Sequence, residues 1–218
     1  MSFTRNGYGQ VEPNQLSAQK TGQIYASLPL DTNVGVLQNG EFMYYDQAAG
    51  KVSADDSTGV AEPYLVFNEI KLYEPFWRTS YKDFAMIRIK DKNGNYVNHG
   101  YVTSAPATAG YNDGSNIQGV AASPAHPDYP YRMDGIAPRL FKTNVGDIYT
   151  TNMVQTDEDA GQAVTYAVGD KLVPVKNTIS NTLVLEADNS ATTGMIWVVT
   201  KVYTMPDGQQ GLKLQRVH

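Results

Sequence analysis

Four short stretches carry residue types that could do chemistry. Ala125-His126-Pro127-Asp128-Tyr129 places an imidazole and a carboxylate two residues apart. A metal or acid–base role there would need further groups converging from elsewhere in the chain. Pro124 and Pro127 favour an extended loop instead. Asp55-Asp56 and Asp157-Glu158-Asp159 are short acidic runs. Calcium takes several oxygen ligands at close spacing, but neither run alternates as a calcium loop does. A solvated loop is the plainer reading of both. Pro75-Phe76-Trp77-Arg78 is the densest bulky cluster off a strand. It could plug the end of a barrel, anchor a protein interface through Trp and Arg, or stack a sugar or a base.

Composition and missing motifs exclude most other chemistry. The 218 residues include no Cys, so there is no disulfide, thiolate zinc site, thiol nucleophile or iron–sulfur cluster. Histidine occurs only at His99, His126 and His218, which argues against an all-His metal centre. A formal net charge of −5 removes the footprint of a general nucleic-acid binder. The chain has no G-x-S-x-G, no P-loop, no strand–G-x-G-x-x-G–helix and no H-E-x-x-H. It also has no N-glycosylation sequon. A glycosidase needs two carboxylates facing one groove, and nothing here selects a pair. No catalytic residue, metal ligand or cofactor is therefore expected. The longest apolar run, 195–199, is far short of a membrane span. The first ten residues lack the apolar stretch of a secretory signal.

The elements that would position these residues are strands. Val34-Gly35-Val36-Leu37 and Glu41-Phe42-Met43-Tyr44-Tyr45 flank Asn39-Gly40, a strong hairpin signal. Segment 64–73 alternates as a long strand. Segments 84–90 and 96–103 read as a second hairpin around Asn93-Gly94. Further strands are expected at 147–151, 163–168, 171–175, 182–187, 195–205 and 212–217. Pro206-Asp207-Gly208 is a turn tripeptide. The class is all-β: a short-stranded β-barrel, β-tulip or sandwich.

Two segments break the pattern. Residues 1–27 are rich in Gln and poor in large aliphatics. They read as an extended N-terminal arm with one short helical turn near 15–20, either a disordered terminus or an arm ordered on a neighbouring subunit. Its aromatics Phe3 and Tyr8 are candidate interface residues. Residues 104–135 hold four Pro, four Gly and three Tyr. So long a structureless stretch is a linker or a functional insertion, and Tyr111, Tyr129 and Tyr131 argue against a purely solvated one. Together with Phe76, Trp77 and Arg78 they complete the candidate interface set. The resulting division is 1–27 arm, 28–103 β module, 104–135 insertion or linker, and 136–218 β module.

A weak repeat links the modules. Gly40-Glu41-Phe42-Met43-Tyr44-Tyr45-Asp46 resembles Gly146-Asp147-Ile148-Tyr149-Thr150-Thr151-Asn152, and Gly169-Asp170-Lys171-Leu172-Val173 opens alike. A long strand follows in each half, around Val66 and Val198. Any protein of turns and strands could produce such likeness, so the repeat is a suggestion.

These Gly-acid-apolar-apolar modules (40–51 followed by 64–73) sit behind a polar arm, in a chain rich in Gly, Asn, Thr and Tyr. In this style the chain resembles virion structural proteins of tailed bacteriophages, most of all capsid decoration (cement) proteins. The likeness covers about 28–75 and 146–217. It implies a β-barrel or β-tulip body, a homo-oligomer with a trimer first among the options, and the major capsid protein as partner. The arm would lie across neighbouring capsid subunits, since an arm that orders on binding can wrap a large surface. The protein would be made in the host cytoplasm and sit on the capsid surface, without catalysis, nucleic acid or membrane. The chain is longer than many such proteins, and 104–135 has no counterpart. The alternative is a phage fibre, tail or adhesion component binding a host glycan through Phe76, Trp77 and the insertion tyrosines. A carbohydrate-active enzyme stands third.

Overall fold

Runs rich in Val, Leu and Thr pair into a curled eleven-stranded sheet beside a separate two-stranded one, and the fold is all-β. The structure is a computed structural model that describes residues 2–5, 9–31, 33–34, 36–59, 61–68, 86–88, 137–178, 180–205 and 209–218. In chain order the elements are β1 (Val11–Gln15), α1 (Ser17–Thr21), β2 (Ile24–Tyr25), β3 (Val36–Gln38), β4 (Phe42–Asp46) and β5 (Lys51–Ser53). Then come β6 (Tyr64–Val66), β7 (Met86–Arg88), β8 (Leu140–Phe141), β9 (Ile148–Thr151) and α2 (Asp157–Ala160). The last four are β10 (Lys171–Asn177), β11 (Thr182–Ala187), β12 (Trp197–Thr204) and β13 (Gln210–Arg216).

The main sheet runs β1-β9-β13-β12-β10-β11-β4-β6-β8-β2, with β5 on the side of β4, and β3 pairs separately with β7. Its curvature follows from connectivity. Laid flat at ~4.8 Å per strand, the ten-strand path would place its ends about 43 Å apart. The end strands β1 and β2 are consecutive in the chain, joined only by residues 16–23. Fully extended, that connection would reach about 30 Å, and α1 shortens it. The sheet therefore curls, and it forms a half-barrel.

Local sequence sets each strand's role. Leu183, Val184 and Leu185 of β11 are buried on both faces, as expected for an apolar run in mid-sheet. In β13, Leu212, Leu214 and Arg216 alternate inward. β12 loses its alternation after Val199 because the register shifts between Val199 and Lys201 against β13. The main core gathers Phe42, Phe141, Tyr149 and Trp197, with Tyr149 edge-on to Trp197 at 4.8 Å between ring centres. A second cluster gathers Leu37, Met43, Val52, Val66 and Leu140.

The N-terminal segment is laid into this body. Phe3, Leu16 and Ala18 are buried in the main core, β1 pairs β9, and β2 pairs β8. The helical turn expected near 15–20 is α1, closed by Gly22 in the left-handed conformation. The described parts of 28–103 and 136–218 share one sheet through the β11–β4 and β6–β8 pairs.

Two sequence expectations are corrected. Asn39-Gly40 does turn the chain, but β3 and β4 do not form a hairpin: β3 pairs β7, while β4 pairs β5, β6 and β11. The turn is a corner, because the Gly40 N–H and the Glu41 carbonyl bond to Val66 of β6. Segment 163–168 is not a strand. Its polar groups go elsewhere: the Val164 carbonyl to Phe3 N–H, the Val164 N–H to the Asp157 carboxylate, and the Tyr166 hydroxyl to the Gln155 carbonyl. The strand beyond residue 68, the 84–90/96–103 hairpin apart from β7, the insertion 104–135 and the 206–208 turn lie outside the described residues.

Candidate functional site

The Gly-acid pairs of the sequence are three copies of one backbone device. Gly40, Gly146 and Gly169 have φ of 94°, 96° and 99°. Each occupies the third position of a turn closed by the following acid's N–H, which donates to the carbonyl of Gln38, Asn144 or Ala167. A positive φ at that position is what a type II turn requires. The acid side chain then returns to the start of its own turn. Glu41, Asp147 and Asp170 accept the N–H of Gln38, Asn144 and Ala167 at 2.6, 2.9 and 2.7 Å. Each turn docks on a strand through a reciprocal pair of bonds. Gly N–H and acid carbonyl engage Val66 in the first copy, Arg216 in the second and Val199 in the third, all at 2.8–2.9 Å. What repeats is the turn with its docking strand, in three places rather than two.

The surroundings of the three acids differ. Asp147 takes two further donors from one residue, the Ser17 N–H and hydroxyl, both at 3.0 Å. Asp170 is half-buried and also accepts from Asn189 Nδ2. Glu41 is 1% exposed and, among the described residues, has one further donor, the Thr182 hydroxyl at 2.9 Å. Thr182 in turn shares a hydrogen bond with the Ser180 hydroxyl at 2.7 Å. Burial drives the Glu41 carboxyl up to about 8, against the opposing pull of the Gln38 N–H, the Thr182 hydroxyl and the Arg5 charge.

The Glu41 corner is also where the N-terminal segment crosses β3 and β4. The Gly9 N–H donates to Gln38 Oε1 at 2.6 Å. A Cβ on Gly9 would lie 2.3 Å from the Asn39 carbonyl oxygen, so only glycine permits this approach. Asn39 is buried and copies a strand: its Oδ1 accepts from Asn68 N–H and its Nδ2 donates to the Asn68 carbonyl. Arg5 donates to the Val154 carbonyl and lies 4.0 Å from Asp159.

Of the candidate interface residues, only Phe3 is among those described. It is 1% exposed and packs edge-on against Tyr166, inside this chain's own core. Tyr8, Phe76, Trp77, Arg78, Tyr111, Tyr129 and Tyr131 lie outside the described residues, as do His126 and Asp128. Asp56, Asp157 and Asp159 of the acidic runs accept backbone N–H groups. Asp157 accepts the Val164 N–H, and Asp159 forms a capping box with Thr156 at the start of α2. Asp56 accepts from Thr58 and Ala61, while Asp55 pairs with Lys176. Among the described residues no group of three His, Cys, Asp or Glu is placed to hold a metal ion.

Two structural residues gave no sequence signal. Arg216 is 4% exposed and ties β13 to the Thr143 carbonyl, the His218 carbonyl and the Glu62 carboxylate. Thr182 is recognisable only through its bond to Glu41. Comparison of the chain with protein-family models, with curated proteins and with solved structures gives no match.

Proposed function

We propose that this protein is a structural component of a tailed-phage virion, binding the outside of the capsid and stabilising contacts between major capsid subunits. The observation that carries this reading is how its carboxylates are used. Asp31, Asp46, Asp56, Asp157 and Asp188 each accept a nearby loop N–H, and Glu41, Asp147 and Asp170 each lock a turn. Carboxylates bound this way hold loops in one conformation, which is a structural use of the charge. Rigid loops on a curled sheet suit a clamp, because a preorganised surface loses little freedom on binding. The resemblance of the Gly-acid modules to decoration proteins supports the same reading.

The test is stoichiometric. Particles of the phage that encodes the chain are purified, and its copy number is measured beside that of the major capsid protein. The reading expects hundreds of copies per particle and their release as a homo-oligomer. About a dozen copies or fewer would move it to the tail or fibre, and its absence from particles would refute a virion role.

A further inference from the structure

The three Gly-acid turns provide an internal control for one buried group. Asp147 meets three protein donors and Asp170 keeps access to water. Among the described residues Glu41 has neither: one backbone N–H, one hydroxyl and almost no exposure. A carboxylate needs several donors when it leaves water, and two leave its charge under-compensated. A neutral carboxyl fits the same site. It keeps one oxygen to accept from Gln38, and its own O–H donates to Thr182, whose hydroxyl passes on to Ser180.

We propose that Glu41 is a proton-operated latch. As a neutral acid it closes the corner between β3, β4 and β11, and its ionisation loosens that corner and the N-terminal segment crossing it. The proton goes to bulk water. Among the described residues, the charged groups facing Glu41 are Arg5 from the N-terminal segment and Asp159 from α2. Arg5 already engages Asp159 and the Val154 carbonyl, so it is not free to neutralise a second carboxylate fully. The latch links Gly9 to β11 through Gln38, Glu41 and Thr182. It does not depend on the virion reading.

The test is hydrogen exchange at the Gly9, Gln38 and Val66 amides of the full chain from pH 6 to 8, corrected for intrinsic rates. With the carboxyl near 8 when closed and 4.5 when open, the opening constant should rise roughly fifty-fold over that range. Glu41→Gln, which keeps the shape of the neutral acid, should change less than about two-fold by the same relation. A flat wild-type response, or the same rise in Glu41→Gln, would overturn the latch. Should Glu41→Gln fail to fold, carbon-13 titration of the Glu41 carboxyl in the unmodified protein decides instead. A midpoint near 8 supports the latch, and one near 4.5 refutes it.

Discussion

Alanine at each of the three turn glycines separates backbone strain from packing within one molecule. Gly40, Gly146 and Gly169 share φ within a few degrees, so the strain of placing a Cβ there is common to all three. That strain is of order 1–3 kcal/mol. The space around them is not common. A Cβ on Gly146 or Gly169 meets nothing within 4 Å. On Gly40 it would lie 2.5 Å from Met153 Cβ and 2.7 Å from Thr151 Oγ1. Met153 Cβ is fixed to its backbone and cannot swing aside, so overpacking adds a further 1–3 kcal/mol or so. Urea unfolding at one pH reads the difference. With a slope of about 2 kcal/mol per molar, Gly146→Ala and Gly169→Ala should lower the midpoint by about 1 M, and Gly40→Ala by about 2 M. Equal losses at all three sites would refute the packing argument. No loss at Gly146 and Gly169 would refute the strain argument.

Other perturbations have equally definite outcomes. Phe3→Ala should cost about 3–5 kcal/mol in chemical unfolding, because the ring is core and not a free arm's anchor. A loss below about 1 kcal/mol would mean that the segment is only loosely attached. Asp147→Ala leaves the Ser17 and Asn144 N–H groups without their acceptor and should cost about 2–4 kcal/mol, with Asp147→Asn recovering part of it. Burial pushes the Asp31 carboxyl up, but the Lys51 ammonium at 2.5 Å and the Asn33 N–H pull it further down, so it ends below its ordinary 3.8. Its contribution is therefore present above pH 3.8 and is lost as pH falls through the lower folded value. Lys51→Met should reduce that acid-limb loss, measured by thermal unfolding between pH 2 and 5.

What the sequence made legible was mostly local. β11 lies at 182–187 as read, because an uninterrupted β-branched and leucine run has few other uses. β12 and β13 fall within two residues of the reading. The Gly-acid recurrence was visible, but its meaning was not. That the acid reaches back three residues to its own turn, and that each turn docks on a distant strand, depends on tertiary pairing. The same limit hid β1. Val11-Glu12-Pro13-Asn14-Gln15 has poor strand propensity and a Pro without an N–H, and it is a strand only because the β9 edge is there to receive it. Asn39-Gly40 misled for a related reason: the dipeptide specifies a turn, and the partners available on either side decide whether the turn makes a hairpin. Phe3 looks like an interface aromatic in the sequence because nothing in a polar segment signals that one ring is held in a core.

The arrangement of β1 and β2 at the two ends of the sheet also constrains how the protein can be made. Gln10 leaves the ribosome well before its partner, because it bonds to Asn152, 142 positions later. At about 5–20 residues per second, the segment waits roughly 7–30 s before that partner has been synthesised. β1 and β2 cannot be seated in register during that interval, so Phe3 and Leu16 lack their native core partners throughout. Slow codons or a stalled message downstream of Leu16 would lengthen that wait, and chaperone occupancy of residues 1–30 should track it.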